Sequence, residues 1–160
     1  LTIIGIDPGL DGAIACLTDK GIRLYPMPTI KLDKGRQVDA YQLAAALQIE
    51  ALTGDRCYVI LEKVHAMPKQ GVTSMFNFGM SYGICLGVIG GLGLSHRLVR
   101  PQEWQASILK GYAKGSEEAV AKGLWPNACW LASDKCRKPH SGLIDAALIA
   151  EFGRREVGRT

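Results

Sequence analysis

A mixed α/β sheet of five strands flanked by helices is the fold this 160-residue sequence predicts, in a single domain spanning the chain. Three observations carry that expectation. Three short apolar runs open the chain, divided by turn residues, which is the pattern of a meander. Two later runs of strand length alternate with helical periodicity, the pattern of strands joined by crossovers. Finally, 48% of the residues are hydrophobic, enough to fill a core between layers.

The first run is Ile3-Ile4-Gly5-Ile6, which drives into Asp7 and is stopped by Pro8-Gly9. It is too short for a helix and rich in β-branched residues, so it reads as a buried strand. Pro8 biases Asp7 toward extended geometry, leaving a carboxylate at a strand end. Residues 12–18 form the second strand and residues 21–27 the third, with Asp19-Lys20-Gly21 as the hairpin turn; Pro26 and Pro28 close the meander. The polar stretch 31–37 reads as a loop. Asp39 caps a helix running to about Leu52, with Leu43, Ala46, Leu47 and Leu52 on its apolar face; Gly54-Asp55 ends it. Residues 57–61 are the fourth strand, with Glu62 at its end, and residues 63–72 a loop.

Thr73 or Ser74 then begins a long apolar helix to about Leu92. Gly79, Gly83, Gly87 and Gly91 recur every four residues along it. Each glycine inside a helix costs about 1 kcal/mol relative to alanine. Four on one stripe imply close approach by another backbone, either the domain's own sheet or a second copy of the chain. Residues 96–100 are the fifth strand. Pro101 suits the first position of the helix that follows, to about Leu109. Ser116 starts another helix, with Glu117 and Glu118 in its first turn, and Ser141 or a neighbour starts the last, through about Arg155. With crossovers feeding strands four and five, the first strand should be central. Asp7 and Glu62 should then lie on neighbouring strands at the sheet edge where α/β folds place their sites.

No run of 18 or more apolar residues is present, so no membrane-spanning segment is expected, and no signal peptide is visible. Leu1 is an unusual first residue, expected of a chain that starts inside a longer product or lacks its initiator. Five scattered cysteines suggest reduced thiols. Cys129, Cys136 and His140 lack the fourth ligand and CxxC pair of a zinc site. Residues 1–96 balance their charges, so the whole surplus of +4 falls in residues 97–160. A basic half beside separated acids suits an enzyme that holds a polyanion.

Asp7, Glu62 and Asp145, the last opening the final helix, are the candidate site. Singly, each has an ordinary explanation: turn chemistry for Asp7, solvation for Glu62, a helix dipole for Asp145. Together they offer hard oxygen ligands on rigid supports, as a pair of Mg²⁺ ions requires. Two such ions about 4 Å apart can activate water and stabilise the leaving oxygen of a phosphodiester.

Five segments in order also resemble one family. Gly5-Ile6-Asp7-Pro8-Gly9 with Gly12-Ala13, Val59-Ile60-Leu61-Glu62, Phe78-Gly79-Met80-Ser81-Tyr82-Gly83, Pro101-Gln102-Glu103-Trp104 and Asp145-Ala146-Ala147-Leu148-Ile149-Ala150 resemble the motifs of RuvC-type Holliday junction resolvases. Met67-Pro68 and Met75-Phe76-Asn77-Phe78-Gly79 bring the wording nearest to the phage and chloroplast branch. The resemblance runs from about Ile3 to Arg155. It implies a ribonuclease H-like fold, a homodimer, and paired nicks across a four-way DNA junction that leave 5′-phosphate and 3′-hydroxyl ends. It implies two Mg²⁺ or Mn²⁺ ions per site, held by Asp7, Glu62 and Asp145. The family's fourth ligand, acidic or histidine, precedes the last aspartate; in Lys138-Pro139-His140-Ser141-Gly142 the candidate is His140, and no carboxylate is present. A family lysine that neutralises the scissile phosphate corresponds best to Lys114, then Lys110, while Gln105 stands where a lysine is common. The loop after Glu62 is the expected junction probe, with His65, Met67, Lys69 and Gln70 parting bases or holding phosphate. Phe76 and Phe78 follow as residues that stack on bases or, more commonly for phenylalanine, pack in the core. The setting implied is the cytoplasm of a phage-infected bacterium or an organelle, not secretion. Two other classes compete: a junction-binding module without catalysis, and a nucleotide-binding domain, because Asp7-x-Gly9 before a hairpin resembles the phosphate loop of sugar kinases and actin-like ATPases. The latter need two such domains, and this chain has length for one.

Overall fold

The computed structural model describes residues 1–52, 56–63 and 71–158. Its main sheet has five strands: β1 (Thr2–Asp7), β2 (Ala13–Thr18), β3 (Gly21–Pro26), β6 (Cys57–Glu62) and β7 (Ser95–Val99), in the order β3-β2-β1-β6-β7. A second, two-stranded sheet pairs β4 (Thr29–Lys31) with β5 (Arg36–Val38). The helices are α1 (Ala40–Leu52), α2 (Val72–Gly91), α3 (Pro101–Ile108), α4 (Glu117–Leu124) and α5 (Ser141–Val157). β1 is central: β2 and β3 form the antiparallel meander, and β6 and β7 join in parallel through helical crossovers. This is the five-stranded ribonuclease H-like sheet expected.

Alternation along β1 divides the core in two. Ile3 faces α5 with Trp104 of α3 and Val120 of α4, while Ile4 and Ile6 face Leu43 and Leu47 of α1 and Cys85 and Ile89 of α2. Both sheet faces are covered, which is why the central strands read as unbroken apolar runs rather than alternating ones. Asp39 caps α1 as expected, its Oδ1 accepting from the Gln42 amide at 3.0 Å. Pro101 is the first residue of α3. All five cysteines are free.

The structure differs from the sequence reading at several points. Residues 29–38 hold a hairpin where a loop was expected; its strands are three residues each, with one apolar residue apiece, too short to show a period. Leu52 is 76% exposed, whereas Glu50 is buried in its place and ion-paired with Arg23. α2 begins at Val72 after Gly71 rather than at a Thr or Ser cap. Among the described residues an added methyl at Gly79, Gly83, Gly87 or Gly91 would meet nothing, so the stripe does not pack on the domain's own sheet. By length and composition alone α2 is apolar enough to cross a membrane, with 17% of that window buried. Its glycines, serines, threonine and asparagine interrupt the apolar run without lowering the mean hydropathy below that of a span.

Candidate active site at the carboxyl end of the sheet

β1 delivers Asp7 into the Pro8-Gly9 turn, where the Gly9 amide donates to Asp7 Oδ1 at 3.2 Å and fixes the carboxylate. The turn closes with the Gly12 amide donating to the Gly9 carbonyl at 2.9 Å. β6 runs parallel beside β1 with Leu61 opposite Ile6, so Glu62 leaves the sheet next to Asp7. Behind it, Trp104 of α3, 1% exposed, donates its indole N–H to Glu62 Oε1 at 2.8 Å. α5 brings the third acid. Gly5 lets this helix lie directly on β1: a Cβ there would stand 2.2 Å from the Ala146 carbonyl oxygen and 2.5 Å from the Ala150 amide. That approach holds Asp145, next to Ala146, at the same sheet end. Asp145 is the fifth residue of α5, past its first turn, so the helix dipole that offered an ordinary explanation for it has little hold there.

The three carboxyls sense one another. Burial raises Asp145 first, then the charges of Asp7, Glu62 and Glu117, to about 7. Burial also raises Glu62; the Trp104 hydrogen bond opposes it and Asp7 adds to it. Asp7 is raised by burial, eased by the Gly9 amide and His140, and raised again by Asp11. Desolvation and like charge thus act together, and among the described residues none of the groups acting on the three is a lysine or arginine. His140 stands at the N-terminus of α5, its amide donating to the Trp130 carbonyl at 2.8 Å. Its Nδ1 is buried without a hydrogen-bond partner among the described residues. Buried hard oxygens raised by one another's charge, and an imidazole nitrogen unpartnered among the described residues, fit a divalent cation chemically. Among the described residues, however, no three His, Cys, Asp or Glu groups already stand close enough to hold a metal ion, and this includes Cys129, Cys136 and His140.

The other expected residues fall at different distances from this centre. Lys110 and Lys114 are exposed in the segment joining α3 to α4, and α4's first residue, Glu117, reaches Asp145 electrostatically. Phe76 is 69% exposed on α2 and so is not a core residue. Phe78 approaches Gly9, where an added Cβ would lie 3.8 Å from its ring, and with Leu10, Thr73, Ser74, Asn77 and Ser81 it lines a cleft of about 550 Å³ beside the Asp7 turn. His65, Met67, Lys69 and Gln70 lie outside the described residues. Sequence reasoning missed two participants. Trp104 was noted only as part of a motif, and Glu117 only as a dipole partner; neither carries a local signal that it will meet Glu62 or Asp145.

No protein-family model matches the chain, and no curated protein sequence does. Its fold is similar to that of RuvC from Thermus thermophilus: 17% identity and a TM-score of 0.58, over 98% of this chain and 97% of that one. The same RuvC in complex with a Holliday junction substrate aligns with 18% identity and a TM-score of 0.59, over 98% and 96%. The yeast mitochondrial Holliday junction resolvase Ydc2 is a looser likeness, at 12% identity and a TM-score of 0.46 over 96% and 77%. The chain shares the fold of RuvC across nearly its full length.

Proposed function

We propose that this chain is a metal-dependent, structure-selective DNA endonuclease that resolves four-way junctions by paired nicks, acting as a homodimer of the phage and chloroplast type. One observation carries the reading: three carboxylates from separate elements repel one another, without a compensating lysine or arginine among the described residues, at the sheet end where α/β folds place their sites. The fold adds support, since in Thermus thermophilus it is that of RuvC, which has been seen with a Holliday junction substrate.

Asp7, Glu62, Asp145 and His140 would hold two Mg²⁺ or Mn²⁺ ions. Bound there, the ions supply an activated water and charge neutralisation at the phosphodiester. The chain's own contribution is orientation. The Gly9 amide aims Asp7, and the Trp104 indole aims Glu62. Lys114, with Lys110 second, neutralises the scissile phosphate. Phe76, on the exposed side of α2, stacks on an unpaired base, and His65, Met67, Lys69 and Gln70 form the junction probe. The open glycine stripe of α2 is the homodimer face, where close backbone approach needs no side chain.

Cleavage of a labelled four-way junction in Mn²⁺, run beside an ATP-turnover assay, tests the reading. Paired nicks that Asp7→Asn abolishes while junction binding persists are the expected result; nicking that survives the substitution refutes it. ATP turnover in place of nicking would move the chain to the nucleotide-binding class. Junction binding without cleavage is the second reading. It is favoured by one observation, the absence of a closed three-ligand set among the described residues.

A further inference from the structure

We propose, resting on the endonuclease reading, that the β4–β5 hairpin is a second phosphate-gripping arm, which holds the DNA backbone beside the carboxylate site through Lys31, Lys34 and Arg36. The hairpin springs from the same sheet level as the site. Pro26, the last residue of β3, is in register with Ala13 of β2, and Ala13 with Asp7. Its stalk is fixed. Met27 and Val38 are buried in the core, the Met27 amide donates to the Gly12 carbonyl at 3.0 Å, and the Asp39 amide donates to the Pro28 carbonyl at 2.9 Å. Its outer part is bare, with residues 30–36 all exposed around a turn that Gly35 closes at φ 84°. A two-stranded ribbon gains little stability from its own pairing, so an exposed one on a rigid stalk suggests a role in contact rather than in folding.

Charge names the partner. The tip sequence Lys31-Leu32-Asp33-Lys34-Gly35-Arg36 carries three cations against one acid. Lys31 and Lys34 have no ion-pair partner among the described residues. Arg36 pairs with Asp11, which lies in the catalytic turn and acts on Asp7. Both ends of that pair are exposed, 44% and 81%, so it is weakly held and open to exchange. A phosphate has the fork geometry the guanidinium prefers and can take Arg36 from Asp11. The arm then lies over the duplex next to the cut, and Asp11 holds Arg36 in place until DNA arrives.

The test is fluorescence anisotropy of a labelled four-way junction and its matching linear duplex, in EDTA, between 50 and 200 mM NaCl. The parent is compared with the triple variant Lys31→Gln/Lys34→Gln/Arg36→Gln and with Asp11→Asn. Losing three phosphate contacts should lower the slope of log affinity on log salt by about 2.7, so that over this range the parent weakens about 40-fold more than the triple variant. Asp11→Asn should tighten binding, which no folding defect would do. A triple-variant slope equal to the parent's, or weaker binding by Asp11→Asn, overturns the arm. If the parent itself binds neither DNA, the endonuclease reading is what falls. If it binds and nicks the junction while the variant slope is unchanged, only the hairpin assignment falls.

Discussion

Replacing Asp145 by asparagine should make the metal-free protein more stable, by a margin that opens above about pH 4 and is complete above about pH 7. In the fold its carboxyl is held at about 7, against an ordinary value of 3.8, by burial and by the charges of Asp7, Glu62 and Glu117. In the unfolded chain the proton leaves near pH 4. Between the two values the folded state binds the extra proton, so stability falls as pH rises through that window and the full cost is present above pH 7. A displacement of about three pH units corresponds to about 4 kcal/mol. Asparagine keeps the size and polarity but not the charge, and the neighbouring acids also relax once it is gone, so the gain at pH 8 should be about 2–4 kcal/mol. For a chain of this length that is a melting-temperature rise on the order of 5–15 °C. Urea unfolding of parent and variant in EDTA at pH 4, 6 and 8 reads it directly. The curves should coincide at pH 4 and separate progressively. Adding Mg²⁺ at pH 8 should stabilise the parent more than the variant, since bound ligand stabilises the state that binds it. Coincident curves at pH 8, or an equal gap at all three pH values, would show that Asp145 does not feel the cluster.

Trp104→Phe removes the indole donor from Glu62 and leaves a small void at a fully buried site. Nicking should drop at least tenfold with a stability loss of about 1–3 kcal/mol; full activity alongside that loss would make Trp104 purely structural. Gly5→Val drives a side chain into the Ala146 carbonyl, so it should lower the urea midpoint by the equivalent of 3 kcal/mol or more, on the order of severe overpacking, and a tolerated valine would show that α5 sits further from β1. His140→Ala should reduce turnover more than junction affinity in a single-turnover and anisotropy pair, whereas equal losses would assign His140 to holding α5. On the endonuclease reading, raising the pH from 6 to 8 should increase nicking, because the Asp145 carboxyl would have to shed its proton to bind metal; a rate that falls over that range contradicts this.

The sheet was legible because burial on both faces makes a strand a short, uniformly apolar run, and β1, β2 and β6 are such runs. The positions of Asp7 and Glu62 were legible for the same reason: an acid after such a run has to leave the sheet at its end. The hairpin was not, because Thr29–Lys31 and Arg36–Val38 are three residues each with Val38 alone buried, and their pairing rests on backbone geometry that composition does not encode. The direction of the α2 stripe also lay beyond the sequence. Repeated glycine says that something can come close but not what, and the space the described residues leave over Gly79 to Gly91 is a property of the tertiary arrangement. Glu50 illustrates a third limit. An acid in an amphipathic helix reads as solvent-facing until a cation 27 residues away in sequence, here Arg23, proves to be beside it. Trp104 belongs with Glu50, since its partner is 42 residues distant.

Arg97 of β7 bonds Glu156 of α5 at 2.8 Å, pairs with Glu103 at the start of α3, and lies 5.3 Å over the Phe152 ring. Glu103 adjoins Trp104, which steers one acid, and Glu156 belongs to the helix that carries another. A single guanidinium on a border strand therefore rivets together the supports of two of the three clustered carboxyls. On the proposed endonuclease reading, loosening that border by heat or denaturant should blunt nicking before the core melts, giving an inactivation temperature below the unfolding temperature.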